Sequence, residues 1–120
     1  MDFRLLDYDD KPTWDLICSG KTVGIFQLES SLGKEWSQRV KPRNINELAD
    51  LISIIRPGTL EAKEDGKTMT LLYAERKAGI SPTVPLHPCL VGILDDTYHI
   101  LVYQEQAMFI ANKIAGYSCI

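Results

Sequence analysis

Apolar residues recur at helical spacing along most of the chain, and proline or glycine marks the corners between the periodic stretches. The first stretch predicts a short helix that begins near residues 9–10, carries Pro12 near its first turn and stops at Gly20. Trp14 and Ile17, three apart, face inward in that reading. Residues 22–26 are short and apolar and predict one extended strand. A second helix is expected over 30–40, with Leu28, Leu32, Trp36 and Val40 four apart on one apolar stripe and Pro42 as its end. A third starts at Asn44, where Glu47 three residues on resembles a capping box, and runs on Ile45, Leu48, Leu51, Ile52 and Ile55. Pro57 disfavours helix at Arg56, so that helix ends close to Arg56.

Residues 61–66 are polar and read as a flexible loop. A fourth helix follows over about 67–78, with Gly79 after it. Pro82, Pro85 and Pro88 break up the next stretch, and a short helix fits 89–94. From Tyr98 to Val102 a β-branched and aromatic run turns abruptly into a last helix over 104–115. Ala107, Ile110, Ala111 and Ile114 form its expected buried stripe, Tyr103 extends it by a turn, and Gly116 terminates it. The fold class is therefore mostly α, with one or two short extended segments. The junction at its end is crowded: Gln104 and Gln106 flank Glu105, and Tyr103 precedes them. Polar groups gathered at the start of a helix often hold a partner.

The 120 residues fit one domain of ordinary size, and composition changes little in this picture. Net charge is −3, which leaves no overall basic excess for gripping phosphates. Lys21, Lys34, Arg39, Lys41 and Arg43 form a local basic group, read as a solvated helix face. Cys18, Cys89 and Cys119 are odd in number and far apart, which argues against a disulfide framework and a zinc site and for a reducing, cytoplasmic setting. No apolar run approaches the roughly 20 residues of a membrane span, so no membrane partner is expected.

Several residues carry candidate chemistry. Arg56, in a rigid Pro-Gly corner, can present a planar donor fork to phosphate or carboxylate; as a helix-terminal cation it can equally offset the helix dipole. In the segment Phe26-Gln27-Leu28-Glu29-Ser30, Gln27 can hydrogen-bond a base edge or a backbone and Glu29 can hold an arginine. Local physics favours a plainer reading there, with Ser30 as a helix cap and Glu29 near the dipole. Asp7, Asp9 and Asp10 precede a helix, so capping outweighs metal binding. His87 and Cys89 have no second ligand pair, and no nucleophile–base pair supports a thiol enzyme.

Taken together, Gly24-Ile25-Phe26-Gln27-Leu28-Glu29-Ser30, Arg56-Pro57-Gly58, the stretch from Tyr98 to Met108, and Ala115-Gly116-Tyr117-Ser118 occur in a telling order. In that order and spacing they resemble the fingers region of the bacterial replicative DNA polymerase III alpha subunits, the C-family polymerases. The resemblance runs from about Asp7 to Ser118. It implies a helical fingers-type domain that helps position the incoming deoxynucleotide triphosphate and the template–primer DNA. It places Arg56, Gln104 and Gln106 near nucleotide or primer–template, with Gln27, Glu29, Tyr103 and Glu105 in support. Magnesium would sit in the palm domain rather than here, and the remaining polymerase chain and other replisome subunits would be partners. Residues 1–8 would be a remnant of the palm–fingers connection, and 1–120 one partial domain.

Two family features are absent from the sequence: the palm aspartate motif and the basic helix that usually follows the Gly-Tyr-Ser turn. His99 stands where the family commonly has Gly, and Thr59 where many members have a second Pro. The expectation is a piece of a polymerase that does not copy DNA alone: a truncated product, an engineered piece, or one part of a split gene. Inteins commonly begin with Cys, so Cys119-Ile120 could mark such a junction, although simple truncation is the preferred reading. A non-catalytic helical protein-interaction module derived from the same fold is the alternative.

Overall fold

Helix starts in this chain are set by side chains that take up loose amide groups. In the computed structural model, which describes residues 1–117, Asp10 accepts from the Thr13 amide at 3.0 Å and opens α1 (Lys11–Cys18). Ser30 accepts from Gly33 at 3.0 Å and opens α2 (Ser31–Val40). Asn44 accepts from Glu47 at 2.9 Å and opens α3 (Ile45–Ile54). Thr68 does the same for α5 (Met69–Lys77), through the Leu71 amide at 3.2 Å. The short α4 (Pro57–Glu61) and the long α6 (Gln104–Ala115) complete the helices among the described residues. The chain is mostly α. Ser118, Cys119 and Ile120, and with them the end of the Gly-Tyr-Ser segment and the suggested intein junction, lie outside the described residues.

The structure divides into two compact units, the first Met1–Ile55 and the second from Arg56 onward. In the first, α1 packs on α2 and α2 on α3. Trp14, Ile17, Leu28, Trp36, Val40, Leu51 and Ile54 are its buried apolar side chains. The Trp14 indole donates to the Tyr8 carbonyl at 2.8 Å and anchors the preceding segment. Leu32 departs from the expected stripe: it is exposed, while Leu28, Trp36 and Val40 are buried. Lys41 leaves α2 in the left-handed conformation and Pro42 follows. Two members of the basic group are paired locally. Arg39 bonds Glu35 at 2.9 Å and lies 5.0 Å from the Trp36 ring centre, and Arg43 bonds Asp15.

In the second unit the expected loop over 61–66 is instead an antiparallel ribbon, β1 (Lys63–Glu64) paired with β2 (Lys67–Thr68). Asp65 and Gly66 are both left-handed, φ 52° and 80°, as a two-residue hairpin of this kind requires. α4 packs on α5 and β2. Leu72, Tyr73 and Ala74 are the buried apolar face of α5, and Arg76 is buried with them. The expected helix over 89–94 shrinks to a 3-10 turn at Pro88–Leu90, where the His87 ring accepts from the Cys89 amide at 3.2 Å.

Two further expectations fail. The 22–26 strand is a series of turns, and the run 98–102 joins no sheet. α6 has the expected limits, but Ala107 and Ile114 are exposed, Ile110 and Ala111 are half-buried, and Gln106 is its buried residue. Met108, Phe109 and Tyr117 are exposed as well. No helix among the described residues is long and apolar enough to cross a membrane.

Candidate functional site

The corner before α6 is built from the inside out by one amide side chain. Gln106 lies in the first turn of α6, three residues after Tyr103, and points back beneath it. Its Oε1 accepts from the Val102 and Tyr103 amides, both at 2.9 Å, and its Nε2 donates to Thr97 Oγ1 at 2.8 Å. The Thr97 hydroxyl donates in turn to the Ile100 carbonyl at 2.7 Å. Two amides at a helix start are thereby satisfied in a partly buried place, and the same side chain ties in the buried Thr97 hydroxyl. Gln106 is 8% exposed, so its amide is engaged inside the protein rather than offered to a partner. Gln104 and Glu105, on the outer side of the same turn, are exposed, and Tyr103 is half-buried.

Upstream, Asp95–Thr97 form a 3-10 turn, and Tyr98 and His99 follow with φ 54° and 58°. Both are left-handed, a region that costs residues with a Cβ and that Gly enters freely. The chain nevertheless makes the tight turn. Tyr98 packs edge-on against the Tyr73 ring, with centroids 5.2 Å apart, and its carbonyl accepts from Arg76 Nη1 at 3.1 Å. His99 is largely buried, with Nε2 3.4 Å from Asp95 Oδ1. Arg76 was not singled out from the sequence. The signal was present, since Leu72, Tyr73 and Arg76 share one face of a helix at spacings of three and four.

In the first unit the segment 22–30 forms a second polar turn. Thr22 is fully buried and its hydroxyl donates to the Leu28 carbonyl, closing the loop. Glu29 Oε2 accepts from the Gly24 amide at 2.9 Å. Gln27 is exposed and left-handed, φ 65°. Leu28 lies under the start of α2, so close that a Cβ on Gly33 would come within 2.7 Å of the Leu28 Cα.

Arg56 does not end α3. That helix stops at Ile54, and Arg56, in extended conformation with φ −141° and ψ 151°, is the residue before α4. Pro57 forces this: it excludes helical angles from its predecessor and suits the first helical position. Arg56 thus stands between two helix ends, directly after the C-cap of α3 and at the N-cap of α4, so the dipoles of the two helices act on it in opposite senses. It is exposed, and its guanidinium makes no ion pair or side-chain hydrogen bond among the described residues. The carboxylates near the N-terminus are spent in turns: Asp7 accepts from the Asp9 amide at 2.9 Å, and Asp10 caps α1. Among the described residues no group of three or more His, Cys, Asp or Glu side chains is arranged to hold a metal ion.

The family model of the bacterial DNA polymerase III alpha subunit finger domain matches residues 1–120. The chain belongs to that family. It is 39% identical to DNA polymerase III subunit alpha of Caulobacter vibrioides over 118 residues, covering 98% of this chain and 10% of that protein. The same-named proteins of Saccharopolyspora erythraea and Bacillus subtilis are 38% and 37% identical, again over 98% of this chain and 10% of theirs. This finger domain thus spans about a tenth of the length of the curated relatives it matches. Within the finger domain, the left-handed backbone at His99 is one that glycine would adopt without strain.

Proposed function

We propose that this chain serves as the fingers of a DNA-directed DNA polymerase of the replicative polymerase III alpha type, helping to position the incoming deoxynucleotide and the primer–template. The observation that carries this reading is the family match over the whole chain. Nucleotidyl transfer depends on alignment and charge stabilisation more than on covalent help from the protein, so a domain without catalytic carboxylates can still contribute to the rate. Among the described residues no set of carboxylates is arranged to hold a catalytic metal. Magnesium belongs in this reading to the palm of the longer chain.

The exposed guanidinium of Arg56 faces a phosphate of the incoming nucleotide beside the primer–template, and Gln104 on the first turn of α6 adds a neutral donor and acceptor. Gln106, Tyr103 and Glu105 support that wall, Gln106 from behind. Gln27 and Glu29 support the junction with the palm, and residues 1–8 lead towards it. Partners are the rest of the polymerase chain, DNA, deoxynucleotide triphosphates and other replisome subunits, in the cytoplasm.

The test is Arg56→Ala in the full-length polymerase. Nucleotide KM should rise about tenfold or more while primer–template Kd moves less than about threefold. Unchanged KM and kcat would remove Arg56 from the site.

A further inference from the structure

We propose that Arg76 is a positioning residue for the polymerase reaction: it touches no substrate but locks the turn from which Gln104 and Glu105 project. This rests on the reading of Gln104 as nucleotide-proximal. Arg76 stands on α5, away from any residue assigned above. It is 8% exposed, with Nη1 on the Tyr98 carbonyl at 3.1 Å and Nη2 3.4 Å from both Glu64 oxygens. Its Nε has no partner among the described residues.

As a device for stability this is a poor arrangement. A buried guanidinium costs desolvation, and a long ion pair with an idle donor recovers little of it. An apolar side chain would fill the same space at least as well. An arginine fork can reach a carbonyl on one side and a carboxylate on the other in a fixed geometry that a lysine ammonium lacks.

What it holds is a backbone that would otherwise relax. Tyr98 and His99 are consecutive left-handed residues, and such a pair persists only where its surroundings over-determine it. α5 supplies two of those constraints from one face, the Arg76 bond to the Tyr98 carbonyl and the Tyr73 ring against the Tyr98 ring. The next residues lead straight into the cap. Ile100 is buried and its carbonyl is tied to Thr97; Thr97 is tied to Gln106; Gln106 holds Val102 and Tyr103. Gln104 follows directly. A shift of Tyr98 is therefore passed to the first turn of α6 through bonded groups only.

The experiment places Arg76→Lys, which keeps a cation beside Glu64 but loses the fork, in the full-length polymerase, with Gln104→Ala alongside. Nucleotide KM should rise about tenfold in Arg76→Lys, with kcat and primer–template Kd within about twofold. Hydrogen exchange at the Val102 and Tyr103 amides should quicken about tenfold, with the middle of α5 changed less than about twofold. Equal loosening of α5 and the corner would make Arg76 a plain structural residue and overturn the proposal. So would a raised KM in Gln104→Ala beside an unmoved KM and unmoved exchange in Arg76→Lys. No KM change in Gln104→Ala would overturn the nucleotide reading itself, and with it the positioning role. Should Arg76→Lys fail to fold, Arg76→Gln, which buries no unpaired charge, takes its place: the same rise in KM and the same local exchange support the positioning role, and the same contrary results overturn it.

Discussion

The turn at 22–30 in the first unit and the corner at 94–106 in the second solve one problem in two ways. Each brings a polar stretch up to the start of a helix, and each contains left-handed residues that are not glycine. The first is closed within its own segment: the Thr22 hydroxyl reaches the Leu28 carbonyl, Glu29 holds the Gly24 amide, and Gly33 lets α2 sit directly on Leu28. The second is closed by side chains, Gln106 from within α6 and Arg76 from α5. In both, one member of the polar cluster is spent on the turn, Glu29 or Gln106, and a neighbour, Gln27 or Gln104, is left outside. A cluster of glutamines and glutamates is thus not a site as a whole. Part of it holds the backbone and part remains free to meet a partner.

Substitutions can separate the two solutions. Both tryptophans lie in the first unit, so their fluorescence during urea unfolding reports that unit. The largest effect should come from Gly33→Ala, whose new methyl would strike the Leu28 backbone; about 3 kcal/mol should be lost by tryptophan fluorescence. Gln106→Leu should cost about 2 kcal/mol, because it strands the Val102 and Tyr103 amides. That loss should appear in exchange of the second unit's amides, with the tryptophan signal unmoved.

A gain is expected from Gln27→Gly. Gln27 is exposed and left-handed, so relief of its backbone should add about 1 kcal/mol to the first unit.

Acid should give the gentlest separation. Lys11 and then Arg43 hold the Asp15 carboxyl below the ordinary carboxylate range in the first unit. Lys67 and then Ser81 do the same for Glu75 in the second. A lowered folded pKa means stability that is complete above the unfolded value and lost as pH falls through the folded one. The losses should begin below about pH 4.5 for Glu75 and about 3.8 for Asp15. Asp15→Asn should flatten the acid limb of the tryptophan signal only, and Glu75→Gln that of amide exchange in the second unit only.

Capping was the most legible layer of this fold, since Asp10, Ser30 and Asn44 all act where helix rules place them. The hairpin was equally visible in Asp65-Gly66, yet its polar neighbours read as a loop because strands of two residues carry no period. The buried stripe of α6 was misread for a different reason: periodicity shows which face is apolar, not whether this stretch of chain covers it. The left-handed backbone at Tyr98 was illegible from residue type, and that at His99 was hinted at only by the resemblance, whose family commonly has Gly there. Gln106 sits where a capping box wants its glutamine, but a tyrosine at the preceding cap position hid the pattern. The family was legible because four weak motifs stood in one order, and no single one would have sufficed.

The exposed apolar side chains on α6 and just after it have a colloidal consequence. Phe109, Ile114 and Tyr117 are each more than half exposed, on a chain whose net charge is only −3. Near pH 5.3 that charge vanishes, and little electrostatic repulsion then keeps two such faces apart. Solubility of the 120-residue chain should pass through its minimum there, with light scattering rising steeply with concentration, and charged substitutions at Phe109 and Ile114 should lift that minimum more than the same charges placed on α2.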